Sequence, residues 1–125
     1  MNASGQLDAS AVERLKRLGG TAFVVKMVDL FGSYGGEKLR AARAALETGN
    51  CVGVADAVHP IKSSAGNVGA KNVQALAQQI EQLARASNQE ALPPLLADLE
   101  QAFANATREL EQVKISLSIA ANEAK

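Results

Sequence analysis

The sequence predicts an all-α fold: an antiparallel four-helix bundle with an additional short N-terminal helix. Two observations carry this prediction. Apolar residues recur at three- and four-residue spacings along most of the 125 residues, and long β-branched runs are absent. The breaks between periodic stretches are short, so consecutive helices must fold back on one another. Composition agrees, since Ala, Leu, Gln, Glu, Lys and Arg abound and all favour helix. Hydrophobic residues make up 47% of the chain but aromatics only 3%, so the core must come from Leu, Val, Ile and Ala. The length fits a single domain over residues 1–125 with its core at about 7–117.

The elements follow in order. "LDASAVERLKRLGG" is a short first helix with Asp8 as N-cap, Leu7 and Val12 as a hydrophobic staple, and Gly19-Gly20 as its end. A second helix opens at Thr21 with a wide apolar stripe from Phe23 to Phe31. Gly32, Gly35 and Gly36 are expected to kink or break it, at about 1 kcal/mol each against Ala. The pattern resumes through Leu39, Ala42 and Leu46 and stops at Gly49-Asn50. A third helix spans about Cys51 to Val68, with Gly69 as its stop. A fourth begins near Asn72 and turns Val73, Leu76, Ile80 and Leu83 inward. The last carries the clearest seam: Leu92, Leu96, Leu99, Phe103, Ala106, Leu110, Val113 and Leu117. Pro93 and Pro94 belong in its first turn, where a missing N–H costs little.

Charge and cysteine content narrow the function. Thirteen basic residues balance thirteen acidic ones, so there is no basic field for nucleic acid and no polybasic segment for an anionic membrane. No apolar run approaches the roughly 20 residues that span a bilayer, and "MNASGQLDAS" lacks the regions of a signal peptide. Cys51 is the only cysteine, which fits a reducing compartment. A cytoplasmic protein is expected.

The third helix holds the only histidine, His59, in "AVHPIKSSAGNVGA". At about 100° per residue, Val54, Val58, Ile61, Ala65 and Val68 form its core stripe. His59 falls about 140° from the centre of that stripe and so faces solvent. Its neighbours at helical spacing are Ala55, Lys62, Ser63 and Gly66, three small and one cationic. A low surface suits a nucleophilic imidazole that another protein must reach. A neutral ring has a free lone pair near pH 7, Lys62 can offset arriving negative charge, and the serine hydroxyls can hydrogen-bond it. A lone exposed histidine on a helix is nonetheless more often an ordinary surface residue.

The motif "HPIKSSAGNVGA" resembles that of histidine-containing phosphotransfer (HPt) domains: His59, Lys62 three residues on, the small Ser63, and Gly69 ten residues on. The flanks "LDASAVERLKRLGG", "LRAARAALETGN" and "ALAQQIEQLARASNQE" are similar to the family as well, so the likeness runs from about Leu7 to Leu117. It implies a four-helix bundle with an N-terminal helix. It implies that His59 is phosphorylated at Nε2 and carries phosphate between aspartates of response-regulator receiver domains in a phosphorelay, often from a hybrid sensor kinase. The chain would be a monomeric phosphocarrier, not an autonomous kinase. It would have no intrinsic cofactor or metal, because the receiver supplies Mg²⁺. Lys62 would assist electrostatically, and Ala55, Ser63 and Gly66 would keep the docking surface open. Two features depart from the pattern. Many members have glycine where Ser63 stands, and Pro60 removes a mid-helix hydrogen bond at a cost of about 3 kcal/mol. A kink near Asp56–Pro60 is therefore expected.

Other classes fit less well. The same bundle could bind a receiver or another partner without transfer. A sensor kinase would need ATP-binding glycine boxes, which do not follow the histidine. A metallohydrolase needs several ligands, and one His with one Cys do not make that site. Cys51 lies eight residues before His59, too far for a dyad on one helix, and reads as a small hydrophobe.

Overall fold

The computed structural model describes residues 7–123, with side chains described for 7–120; the stretch Met1–Gln6, read above for a signal sequence, lies outside the described residues. The described residues form four α-helices: α1 (Ala9–Glu47), α2 (Cys51–Val68), α3 (Lys71–Arg85) and α4 (Leu92–Glu123), with a 3₁₀ turn at Gln89–Ala91. Each packs on two neighbours, α1 on α2 and α4, and α3 on α2 and α4, which closes the bundle around one core.

The expected short first helix is present as an arm of α1. Gly20 at φ 76°, ψ −170° separates residues 9–19 from the long arm 21–47. That backbone region is open essentially to glycine alone, so the break is written in this residue. Asp8 caps the arm, its carboxylate accepting from the Ser10 N–H at 3.0 Å. The long arm corrects one expectation: it runs unbroken through Gly32, Gly35 and Gly36. Gly35 is buried, and a Cβ there would lie 2.5 Å from the Phe103 ring of α4. Close packing of two helices, not a kink, accounts for that glycine. Phe103 in turn stacks on Phe31 at 5.0 Å between centroids.

Helix α2 is held at both ends. The Asn50 side chain accepts from the Gly53 N–H at 2.9 Å. At the other end Gly69 is left-handed, with φ 78°. Its turn closes through Ala70 N–H to Ala65 O at 2.9 Å and Gly69 N–H to Gly66 O at 3.2 Å, a glycine stop that satisfies the last carbonyls. The Asp8 N–H donates to Gly69 O at 2.8 Å, which ties the chain before α1 to the end of α2. Pro60 lies inside α2 without interrupting it. The helix is fastened along its core stripe: Val54, Val58, Ile61, Ala65 and Val68 are all buried. Each such aliphatic side chain contributes about 1.5–3 kcal/mol on burial, which offsets the missing hydrogen bond. In α4 the seam is buried at Leu92, Leu96, Leu99, Ala106 and Leu110, while Phe103, Val113 and Leu117 are half-buried.

Candidate functional site

His59 stands on the outer face of α2 with its side chain 61% exposed. It does not stand alone. Nδ1 lies 2.8 Å from Oε2 of Glu81, which reaches across from α3. Lys62, one turn along α2, places Nζ 2.6 Å from the other oxygen, Oε1. Arg85, one turn along α3, donates to Oε2 from Nε at 3.2 Å and Nη2 at 3.0 Å. The same Nη2 lies 3.4 Å from Oδ1 of exposed Asp56 on α2.

Glu81 is only 8% exposed. Burial alone pushes its carboxyl upward, but the bonds from Lys62, His59 and Arg85 outweigh that and bring it down to about 2. It is therefore ionised at neutral pH, and an ionised carboxylate can only accept. The proton of a neutral ring must then sit on Nδ1, and Nε2 carries the lone pair. One tertiary contact thus fixes which nitrogen of a neutral His59 ring carries the lone pair, a role that an orienting carboxylate commonly plays beside an imidazole.

The other expected site residues are placed as follows. Ser63 is exposed one turn from His59. Gly66 is half-buried and faces α3, where a Cβ would lie 2.7 Å from the Gln74 amide nitrogen. Ala55 is a correction: it is fully buried and belongs to the core, so it lines no docking surface. It lies outside the predicted stripe, but α2 is covered by α1 on one side and α3 on the other, and the buried arc is wider than the stripe. Lys62 is not the free surface ammonium of the helical wheel but the ion-pair partner of Glu81. Ser64 donates to the Ile61 carbonyl at 3.4 Å and, with Met27, Leu30, Phe31 and Tyr34, lines an apolar hollow of about 230 Å³. In the stripe of α1, Val24, Val28 and Phe31 are buried while Leu30 and Tyr34 are exposed. Cys51 is half-buried against the core.

An acidic residue that accepts a histidine proton, a lysine three positions after that histidine, and a bundle around both make a specific combination. The sequence matches the Hpt domain family over residues 26–115. The chain belongs to that family. Its structure is similar to the crystal structure of histidine-containing phosphotransfer protein B from Pseudomonas aeruginosa PAO1, with TM-score 0.84 and 24% identity, covering 90% of this chain and 96% of that one. No curated protein sequence matches the chain significantly. As an Hpt domain it is a phosphotransfer relay intermediate and a phosphocarrier; the interaction bundle without transfer is not favoured. Hpt domains act with receiver domains and kinases of two-component phosphorelays. Among the described residues, no helix is long and apolar enough to cross a membrane.

Glu81 is the site residue missed in the sequence. A signal for it existed: Glu81 is four residues after buried Ala77 and four before Arg85. An acid on the inward edge of an amphipathic helix is costly unless it has partners.

Proposed function

We propose that His59 is the phosphoacceptor of this Hpt domain and that it acts through Nε2. A receiver aspartyl phosphate approaches the exposed ring. The Nε2 lone pair forms a bond to phosphorus as the bond from phosphorus to the acyl oxygen breaks, and the aspartate carboxylate leaves with that electron pair. The product is a phosphoramidate on Nε2. The ring becomes positively charged, and Glu81, bonded to Nδ1–H, stabilises that charge. Lys62 supplies a cation one turn away. The receiver brings the Mg²⁺ that neutralises the phosphoryl oxygens.

Ser63 and Gly66 keep the ground beside His59 low enough for a partner backbone. Transfer onward to a second receiver is the same reaction in reverse, with a different aspartate as acceptor. A hybrid sensor kinase is the source of phosphate that this class of carrier calls for. The observation that carries the reading is the 2.8 Å contact from Nδ1 to a buried, ionised carboxylate, which leaves Nε2 as the nucleophile. Incubation with a phosphorylated receiver tests it. Acid-labile, base-stable phosphate is expected on the wild type and absent from His59→Gln. Equal labelling of the two proteins overturns the assignment.

A further inference from the structure

Helix α1 changes direction at one residue. Gly20, at φ 76° and ψ −170°, is the non-helical position between Ala9 and Glu47. Nothing packs over it, since a Cβ there would meet no atom within 4 Å. Gly19 beside it is a second condition for the bend. A Cβ on Gly19 would lie 2.6 Å from Cβ of Phe23, where a continuous helix keeps such atoms about 5–6 Å apart. The arm of residues 9–19 is held down at its far end instead. The Asp8 N–H donates to Gly69 O at 2.8 Å, Leu7 pairs with Ala70 in an antiparallel bridge, and Ala11 and Leu15 are buried. The arm is thus a short helix on a hinge, seated on the corner where α2 turns into α3.

We infer that this corner is also an interface between two copies of the chain, which exchange their arms when Gly20 becomes helical. With that residue helical, the 39 residues of α1 make one straight helix of about 58 Å. The arm then leaves its own corner and reaches the corner of a second copy, whose arm returns the contact.

The balance is set at the hinge. The bend leaves backbone groups on both sides of it without intrahelical partners, and a straight helix pairs them. Straightening alone uncovers Ala11, Leu15, Gly69 and Ala70. A second copy covers them again with the same contacts, so exchange keeps the burial of the arm and adds the helix bonds. Against it stand the entropy of association and the poor helix propensity of glycine. Because the exchange is reciprocal, both corners are filled and the assembly closes at two copies. His59 lies ten residues before Gly69, about 15 Å back along α2. Exchange at the corner therefore leaves its surroundings in place, and the dimer presents two exposed histidines.

The test uses the whole chain. Alanine at position 20 favours the helix and is strained in the bend, which tilts each hinge about thirtyfold toward the straight form. A dimer has two hinges, so Gly20→Ala should dimerise about a thousandfold more tightly than the wild type, as read by light scattering over a dilution series. A cysteine pair, Leu7→Cys with Ala70→Cys in a Cys51→Ser background, reports where the arm sits. Residues paired across an antiparallel bridge lie within reach of a disulfide. On oxidation, the chain with Gly20 should close this bond internally at low concentration. The chain with Gly20→Ala should give a covalent dimer on a non-reducing gel. A Gly20→Ala protein that dimerises no more tightly than the wild type, or a dimer whose bond between positions 7 and 70 stays internal, overturns the inference. Refolding the Gly20 chain from urea gives a readout that does not depend on the alanine variant. Refolding at high concentration should trap a dimer linked between positions 7 and 70 of different copies, and refolding at low concentration should not. Absence of that dimer at high concentration also overturns the inference.

Discussion

Glu81 makes the folded state sensitive to acid in a way that can be measured. Its carboxyl is held down from 4.5 to about 2 by bonds from Lys62, His59 and Arg85 that outweigh the upward push of burial. Because the folded value lies below the unfolded one, the contribution is complete above about pH 5. It falls away as pH drops through about 2. At about 1.4 kcal/mol per pH unit, the difference sets an upper figure of about 3 kcal/mol. Solvent screening at Arg85 and His59, whose side chains are 47% and 61% exposed, brings the expected value to about 2 kcal/mol. Urea unfolding followed by far-UV circular dichroism, at steps from about pH 7 to about pH 2, measures it. Wild type should exceed Glu81→Gln by about 2 kcal/mol at neutral pH, and the two curves should converge in acid. Parallel curves across the whole range would refute the claim that these cations hold Glu81 ionised.

Lys62→Ala should slow phosphate uptake by about tenfold or more and lower stability by about 1 kcal/mol or more, because it removes one of the cations that hold Glu81 ionised; an unchanged transfer rate in a receiver assay would make Lys62 a bystander. Gly35→Ala should destabilise by about 1 kcal/mol or more, because the new methyl lies 2.5 Å from the Phe103 ring. Helix propensity alone predicts the opposite sign, about 1 kcal/mol in favour of Ala, so thermal denaturation separates the two accounts. Gly69→Ala should cost at least about 2 kcal/mol, since φ is 78° and the methyl would sit 2.6 Å from the Asp8 carbonyl oxygen; an unchanged urea midpoint would show that the turn relaxes freely.

The helices were legible because each has one apolar stripe at helical spacing and a chemically explicit end. Asp8, Gly20, Asn50 and Gly69 act through their own backbone or that of near neighbours, so the sequence around them carries the information. The exposure of His59 was legible for the same reason, as a matter of angle on one helix. What lies between helices was not. Ala55 was placed outside the predicted stripe, yet α2 is flanked by both α1 and α3 and buries more than the stripe. Gly35 looked like a weak point in α1 until Phe103, far along the chain, supplied its reason. Glu81 is 22 residues from His59 on another helix, and only the crossing of α2 and α3 brings them together. The lysine that seemed free to meet a phosphoryl group is the one that this crossing pairs with Glu81.

The relay itself is tested most directly with two receivers and no kinase. One receiver carries radiolabelled phosphate on its aspartate, and the second starts unlabelled. With the wild-type chain present, label should pass through His59 and appear on the second receiver. With His59→Gln it should remain on the first. Equal transfer in both mixtures would contradict the account, because phosphate would then be moving by a route that does not use His59.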